Sequence, residues 1–215
     1  MTARLVAWLV FVGAFIAVAY AGRASAGKPD EDVLYQYDTA VGILIQSVIV
    51  LAIVLWITRG PMQRDLLALR APRSWSAAIG WSIALVIAIL VLIPIIESQL
   101  HGGEEQGLAP DGWDPDRANA YFVNAVMIAG VTPVVEELMF RGAGYSLLAR
   151  FGQVVAILVV GVTFGLVHGL VYGLAALTVF GIGLAWLRAK TESVYPCIII
   201  HCLFNTVALV YAVTA

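Results

Sequence analysis

Two adjacent carboxylates and an arginine stand out in the apolar stretch 131–142, which has the sequence V-T-P-V-V-E-E-L-M-F-R-G. Glu137 and Arg141 are four residues apart, so on a helix they share a face and can form an ion pair. Glu136 is turned about 100° from its neighbour on the same helix, and the sequence shows no obvious charged partner for it. A carboxylate without a partner in an apolar pocket is a candidate general base towards water.

Two further polar pairs with the same spacing follow towards the C-terminus. Phe164 and His168 are four apart in F-G-L-V-H, and His201 and Asn205 are four apart in H-C-L-F-N. If the three helices face one another, each presents its pair to a common polar pocket. One imidazole can share the general-base work, and a second with an amide can donate hydrogen bonds to the oxyanion that forms when water attacks a carbonyl. These residue types fit hydrolysis of an amide without a covalent intermediate.

Each of these residues also has a structural explanation when it is taken singly. Glu137 with Arg141 is by itself more often a paired buried charge than part of the chemistry. A histidine in a membrane often only locks one helix to another, and Asn205 alone is typical of interhelical hydrogen bonding. The catalytic interpretation gains because the three sites occur together in a half of the chain that is otherwise poor in polar groups.

The elements that must position these groups are predicted to be membrane helices. The chain of 215 residues is 61% hydrophobic and 12% charged, against about 25% charged residues in a soluble domain. Its apolar runs have the length of helices, which satisfy their own backbone hydrogen bonds in lipid. We predict an all-α polytopic membrane protein, a single bundle of about seven transmembrane helices. The net charge of −2 without a Lys/Arg-rich run argues against nucleic acid as a partner.

The apolar spans alternate with loops of opposite charge. The first three are predicted at 5–22, 40–57 and 75–96, the fourth from 118 towards 150 and too long for a simple perpendicular span, and the last three at 154–168, 173–187 and 194–213. The loops after the second and sixth spans carry arginine, whereas residues 97–117 are acidic, so the N-terminus is expected in the cytoplasm. The acidic loop is expected to be solvated rather than substrate-facing.

Local details of these spans carry three further expectations. The residues Ala24-Ser25-Ala26 resemble a signal-peptide cleavage site, but the length of the first span favours a retained helix. Glycines at 161, 165, 169 and 173 predict close helix packing and a tight turn near 169–173. The span boundaries separate His168 and His201 by about 10 Å in depth, which strong tilting or different boundaries must remove if the two are to meet.

Taken in order, E-E-L-M-F-R, F-G-L-V-H and H-C-L-F-N match the patterns E-E-x-x-x-R, F-x-x-x-H and H-x-x-x-N. With these motifs the chain resembles the CPBP family of intramembrane proteases, also called Abi and named for CAAX prenyl proteases and bacteriocin-processing enzymes. The resemblance covers residues 118–215, a CPBP-like catalytic core. Residues 1–117 are N-terminal transmembrane helices with loops, within one integral membrane bundle.

The resemblance implies an intramembrane endopeptidase of the glutamate type. Glu136 would activate water with His168 as its partner, and His201 with Asn205 would stabilise the oxyanion. The remaining motif positions would support the site as an ion pair and a pocket wall, and they are Glu137, Arg141 and Phe164. The implied substrate is a membrane protein or peptide, with or without a lipid modification or a C-terminal sorting signal. The implied location is the bacterial inner membrane, and neither a cofactor nor a metal is predicted.

Three other functions stay open from the sequence alone. One glutamate and two histidines would suit a zinc-dependent membrane protease, although the chain has no H-E-x-x-H. A non-catalytic scaffold or immunity protein would keep the motifs for packing. A transporter would relay protons through Glu136 and His168, although no inverted repeat is apparent.

Overall fold

The described part of the chain is built of helices. The computed structural model describes residues 1–25, 32–100, 105, 110 and 112–214, so Ala26, the linker up to residue 31 and much of the acidic loop lie outside the described residues. All regular structure in these ranges is helical. The long helices are α1 (Thr2–Ser25), α2 (Tyr37–Thr58), α3 (Trp75–Leu100), α4 (Ala118–Phe151), α5 (Gln153–Leu166), α6 (Leu174–Thr191) and α7 (Tyr195–Thr214).

The outward faces of these helices are apolar. Within the described ranges, six helices are long and apolar enough to cross a membrane, and the shorter α5 is a further apolar helix. Large side chains that a soluble protein would bury point outwards, among them Val10, Val18, Leu90 and Val207. The chain is an integral membrane protein, and the predicted all-α polytopic bundle is confirmed.

The loops gather at two opposite ends of the bundle, as the alternation of spans requires. At one end Arg73 pairs with Glu192 at 2.9 Å, and Arg70 Nε donates to the Glu192 carbonyl at 2.8 Å, so the loops after α2 and α6 meet. At the other end Arg117 pairs with Asp32 at 2.8 Å, which joins the segments that precede α4 and α2.

One face of α1 packs on the bundle through Leu5, Trp8 and Val12. Trp8 is fully buried, and its indole Nε1 donates to the carbonyl of Met139 at 3.0 Å. The indole lies edge-on against Phe140, with ring centroids 6.5 Å apart. A Cβ at Gly144 would overlap this indole, so glycine makes the room for it. α1 therefore packs on residues 139–144 of α4, which directly follow the two glutamates.

α5 and α6 approach closely because glycine lines their contact. Gly161 lies against Ile182, and Gly165 lies against Thr178, so closely that a Cβ at either glycine would overlap its neighbour. Gly169 follows α5 with φ +67, a left-handed conformation that glycine adopts without steric cost. The expected packing stripe and tight turn are both present.

Replacing Gly161 with alanine is expected to destabilise the protein by about 1–3 kcal/mol, because overpacking forces neighbouring backbone to move. The new Cβ would lie 2.7 Å from the backbone nitrogen of Ile182. The thermal midpoint in detergent measures the effect. Gly80→Ala on α3 is the matched control, since a Cβ there meets nothing within 4 Å. Equal midpoints for the two variants would contradict the close packing of α5 on α6.

α4 is a continuous helix of 34 residues in which two π-helical segments, Met127–Val131 and Leu138–Gly144, interrupt the α register. At about 1.5 Å per residue it measures about 51 Å, which exceeds a hydrocarbon core of about 30 Å. The second π segment directly follows the two glutamates and contains Arg141. Such segments are frequent at functional sites.

Candidate active site

The two motif histidines converge on Glu136, whereas Asn205 is placed on the backbone of α4 and no contact joins it to this glutamate in the described residues. Glu136 Oε1 lies 4.0 Å from Nε2 of His168, and its Oε2 lies 3.7 Å from Nε2 of His201. α4 supplies the glutamate, the turn after α5 supplies one histidine, and α7 supplies the other. Segments far apart in the sequence therefore meet at one polar pocket.

His168 lies in a turn rather than in the fifth span, where the sequence placed it. α5 ends at Leu166, and the His168 backbone N–H donates to the carbonyl of Gly165 at 3.3 Å. Its imidazole Nδ1 folds back onto the carbonyl of Phe164 at 2.8 Å. The expected difference in depth from His201 is absent, because both Nε2 atoms approach the same carboxylate.

Glu137 and Arg141 form a fully buried ion pair. Arg141 Nη1 donates to Glu137 Oε1 at 2.8 Å, and Nη2 donates to the carbonyl of Gly181 at 2.8 Å. Nδ1 of His201 donates to the same carboxylate oxygen at 2.9 Å. One buried carboxylate thus fixes both the guanidinium and an imidazole, and it does so from the residue next to Glu136.

These hydrogen bonds determine which nitrogen of each imidazole carries a proton. A carbonyl and a carboxylate only accept hydrogen bonds, so Nδ1 carries a hydrogen in both His168 and His201. In a neutral ring Nε2 is then the acceptor. Both Nε2 atoms face Glu136. The pocket is therefore lined by groups that can accept a proton and, once protonated, return it.

Phe164 forms an aromatic wall between the two histidines. Its buried ring has centroid distances of 4.9 Å to His168 and 5.7 Å to His201. The guanidinium of Arg141 lies over the same ring at 4.5 Å, a cation–π arrangement. Phe180 contacts His201 from another side, with centroids 5.2 Å apart. The wall limits the orientations that either imidazole can take.

Asn205 donates a hydrogen bond to α4, because the first π segment leaves a backbone carbonyl there without a backbone donor. The N–H of Thr132 donates to the carbonyl of Met127, five residues back. The next bond in this register would come from Pro133, which has no N–H, so the carbonyl of Ile128 needs another donor. The Asn205 amide Nδ2 donates to that carbonyl at 2.9 Å. This bond uses one of the two amide hydrogens.

Arg188 is a buried residue that supports the candidate site, although the sequence predicted it in the loop after the sixth span. The residue is 4% exposed, and its Nε donates to the carbonyl of Arg141 at 3.1 Å. Its guanidinium lies over the ring of Tyr145 at 4.9 Å. It thereby supports the backbone of the π segment beside the glutamates. Its position near Lys190 at the end of a span gives no sequence signal for this contact.

The metal alternative depends on a suitable set of ligands. Among the described residues, no group of three or more His, Cys, Asp or Glu side chains is arranged to hold a metal ion. The zinc-dependent alternative therefore has no ligand geometry to support it in this part of the chain.

Part of the chain is similar to a known protein family. Residues 118–207 match the family model described as Type II CAAX prenyl endopeptidase Rce1-like. All motif residues fall within the matched region, whereas α1, α2 and α3 lie outside it. No curated protein and no solved structure gives a significant match to the chain.

Proposed function

Residues 118–207 belong to the Rce1-like branch of the CPBP family, and from this premise we propose that the chain is an intramembrane endopeptidase in which Glu136 activates water. The family indicates a CAAX-type membrane protease. The glutamate mechanism and the roles of individual residues are the proposal.

The observation that carries the proposal is the difference between the two adjacent glutamates. Glu137 is fully buried and bonded to Arg141 and His201. The Glu136 side chain is 20% exposed, and its Oε1 is 4.0 Å from Nε2 of His168. This gap is too long for a hydrogen bond, yet a water about 2.8 Å from each atom fits between them. Glu136 and His168 are thus arranged to hold a nucleophilic water.

In the proposed reaction the water oxygen attacks the carbonyl carbon of the scissile peptide bond and gives a proton to Glu136. A new C–O bond forms, and the carbonyl electron pair moves to oxygen to give a tetrahedral oxyanion. Collapse of this intermediate restores the carbonyl and breaks the C–N bond. Glu136, with His168 beside it, returns the proton to the leaving nitrogen. The products are a new carboxyl end and a new amino end.

His201 and Asn205 are proposed to stabilise the oxyanion. For this role Nε2 of His201 must carry a proton, and because Nδ1 already donates to Glu137, the ring is then an imidazolium. The second amide N–H of Asn205 is the other proposed donor.

The proposed substrate is a membrane protein or peptide, because the pocket lies among membrane-spanning helices. A lipid-modified segment, a C-terminal sorting signal or a bacteriocin precursor would each bring a peptide bond to this depth. The proposed location is the bacterial inner membrane, which follows from the family resemblance alone. The proposed cytoplasmic N-terminus rests on the arginine-bearing loops at one end of the bundle.

Peptide termini in membranes are expected to differ between cells that express the wild-type protein and cells that express Glu136→Gln at matched levels. Termini present only with wild type would identify the protease and its substrates together. Identical profiles, with the variant folded and any phenotype intact, would instead favour the scaffold or transporter alternatives. The purified protein is then treated with a zinc chelator, and unchanged cleavage of an identified substrate separates the glutamate mechanism from the zinc alternative.

A further inference from the structure

The turn that carries His168 is held by the outer end of α1, which lies outside the matched region. The hydroxyl of Tyr20 donates to the carbonyl of Leu170 at 2.9 Å. A Cβ at Gly169 would lie 3.0 Å from the carbonyl oxygen of Ala19, so the helix packs directly on the backbone of the turn. These contacts hold the two residues that follow His168.

Glu105 holds the remaining part of the same turn. Its carboxylate accepts hydrogen bonds from the backbone N–H groups of Val171, Tyr172 and Gly173 at 2.9, 2.8 and 2.9 Å. These donors belong to the turn before α6 and to its N-cap residue, Gly173. Arg23 on α1 lies 2.5 Å from Oε1 of Glu105, whose side chain is 6% exposed. At this residue, the expectation of a solvated acidic loop is wrong.

Glu105 is negatively charged at neutral pH. Burial alone would raise the pKa of this carboxyl, but the three backbone N–H groups and Arg23 outweigh burial and hold the pKa of Glu105 below its ordinary value. Hydrogen bonds to an ionised acceptor are roughly twice as strong as those between neutral groups. The contact between Glu105 and the turn is therefore a firm attachment rather than an incidental one.

We propose that these outer residues form a clamp that positions His168 against Glu136. The proposal rests on the proposed function, because it assigns the clamp a role in the geometry of that site. The clamp residues position the histidine through its turn and do not themselves act on substrate. They are Ala19, Tyr20, Arg23 and Glu105.

The position of His168 explains why such a clamp is needed. The residue lies beyond the end of α5, where its backbone N–H makes a long bond of 3.3 Å to Gly165. Phe164 on α5 orients its ring through the bond to Nδ1, but the backbone position of His168 depends on the turn. Its Nε2 must stay near 4.0 Å from Glu136 for one water to bridge the two groups. A misplacement of about 1 Å can cost about 100-fold in rate. All four clamp residues hold this turn from outside the matched region, residues 118–207.

The test uses the full-length protein with Tyr20→Phe, Glu105→Gln and the double variant. Tyr20→Phe removes a single hydroxyl, and Glu105→Gln removes the charge while keeping a similar shape. We expect the double variant to lower kcat by about 10- to 100-fold with KM within about twofold. The thermal midpoint in detergent is expected to fall modestly because charge-assisted bonds are lost, so kcat is compared at a temperature at which every variant is folded. Matched controls are Tyr211→Phe on the exposed face of α7 and Glu192→Gln in a distant loop.

A second measurement reports on His168 without requiring turnover. Nitrogen-15 NMR of labelled histidine detects the Nδ1–H of His168, with the signal assigned by its loss in His168→Gln. The clamp variants are expected to shift or broaden this signal, and the controls are expected to leave it in place. Unchanged signals, or a fall in kcat without a change at His168, would overturn the clamp. A shifted signal in a protein that shows no proteolysis would keep the clamp and overturn the proposed function instead.

Discussion

Replacing Glu136 with glutamine is expected to lower kcat by about 100- to 10,000-fold, the range that general-base catalysis supplies, with little loss of folded protein. Glutamine keeps the shape of the side chain but cannot take a proton from water. The glutamate makes no direct hydrogen bond to either histidine, since its oxygens lie 4.0 and 3.7 Å from their Nε2 atoms. Its loss should therefore cost chemistry rather than stability. Single-turnover cleavage and folded yield, measured on the same detergent preparations, check this prediction.

Two companion variants make the result specific. His168→Ala is expected to reduce kcat comparably, because the proposed water loses its second partner. Glu192→Gln, which changes a partly exposed carboxylate at the end of the bundle where the arginine-bearing loops meet, is expected to behave as wild type. If Glu136→Gln instead lost its fold while Glu192→Gln did not, Glu136 would be a structural residue and the proposed base would have to be another group.

Replacing Arg141 with alanine is expected to destabilise the protein by about 3–5 kcal/mol, the cost of leaving one member of a buried ion pair without its partner. Glu137 is fully buried, and without Arg141 its carboxylate keeps only the hydrogen bond from Nδ1 of His201 in the part of the chain that the structure describes. Among the described residues, its second oxygen Oε2 has no hydrogen-bond partner. The variant also removes the guanidinium that lies over Phe164. Folded yield, thermal midpoint and activity are all expected to fall together.

A second variant separates the effect of the uncompensated Glu137 charge on stability from the effect of the packing lost with Arg141. Adding Glu137→Gln to Arg141→Ala removes the uncompensated carboxylate, so the double variant is expected to regain part of the lost stability. Arg150→Ala is the matched control at an exposed arginine on the same helix, and it is expected to change the midpoint little. A double variant no more stable than Arg141→Ala would show that packing, and not the buried charge, dominates at this site.

The sequence by itself determined the fold class and the local pairs. Long apolar runs with few charges must become helices in lipid, and the described residues form such helices at the predicted places. Residues four apart on a helix share a face, so the pair Glu137 and Arg141 followed from spacing alone. The family resemblance also rested on motifs that are each contained within one helix or its end.

Only the tertiary structure decided how these local pieces face one another. The attachment of Asn205 to Ile128 depends on a π segment and on the missing N–H of Pro133, and no spacing in the sequence links the two helices. His201 contacts both glutamates, although the sequence suggested that the glutamates point apart. The carboxylate of Glu105 reaches the turn behind His168 from a loop far away in the chain. Contacts of this kind depend on helix packing and on exact turn geometry, which composition and periodicity do not encode.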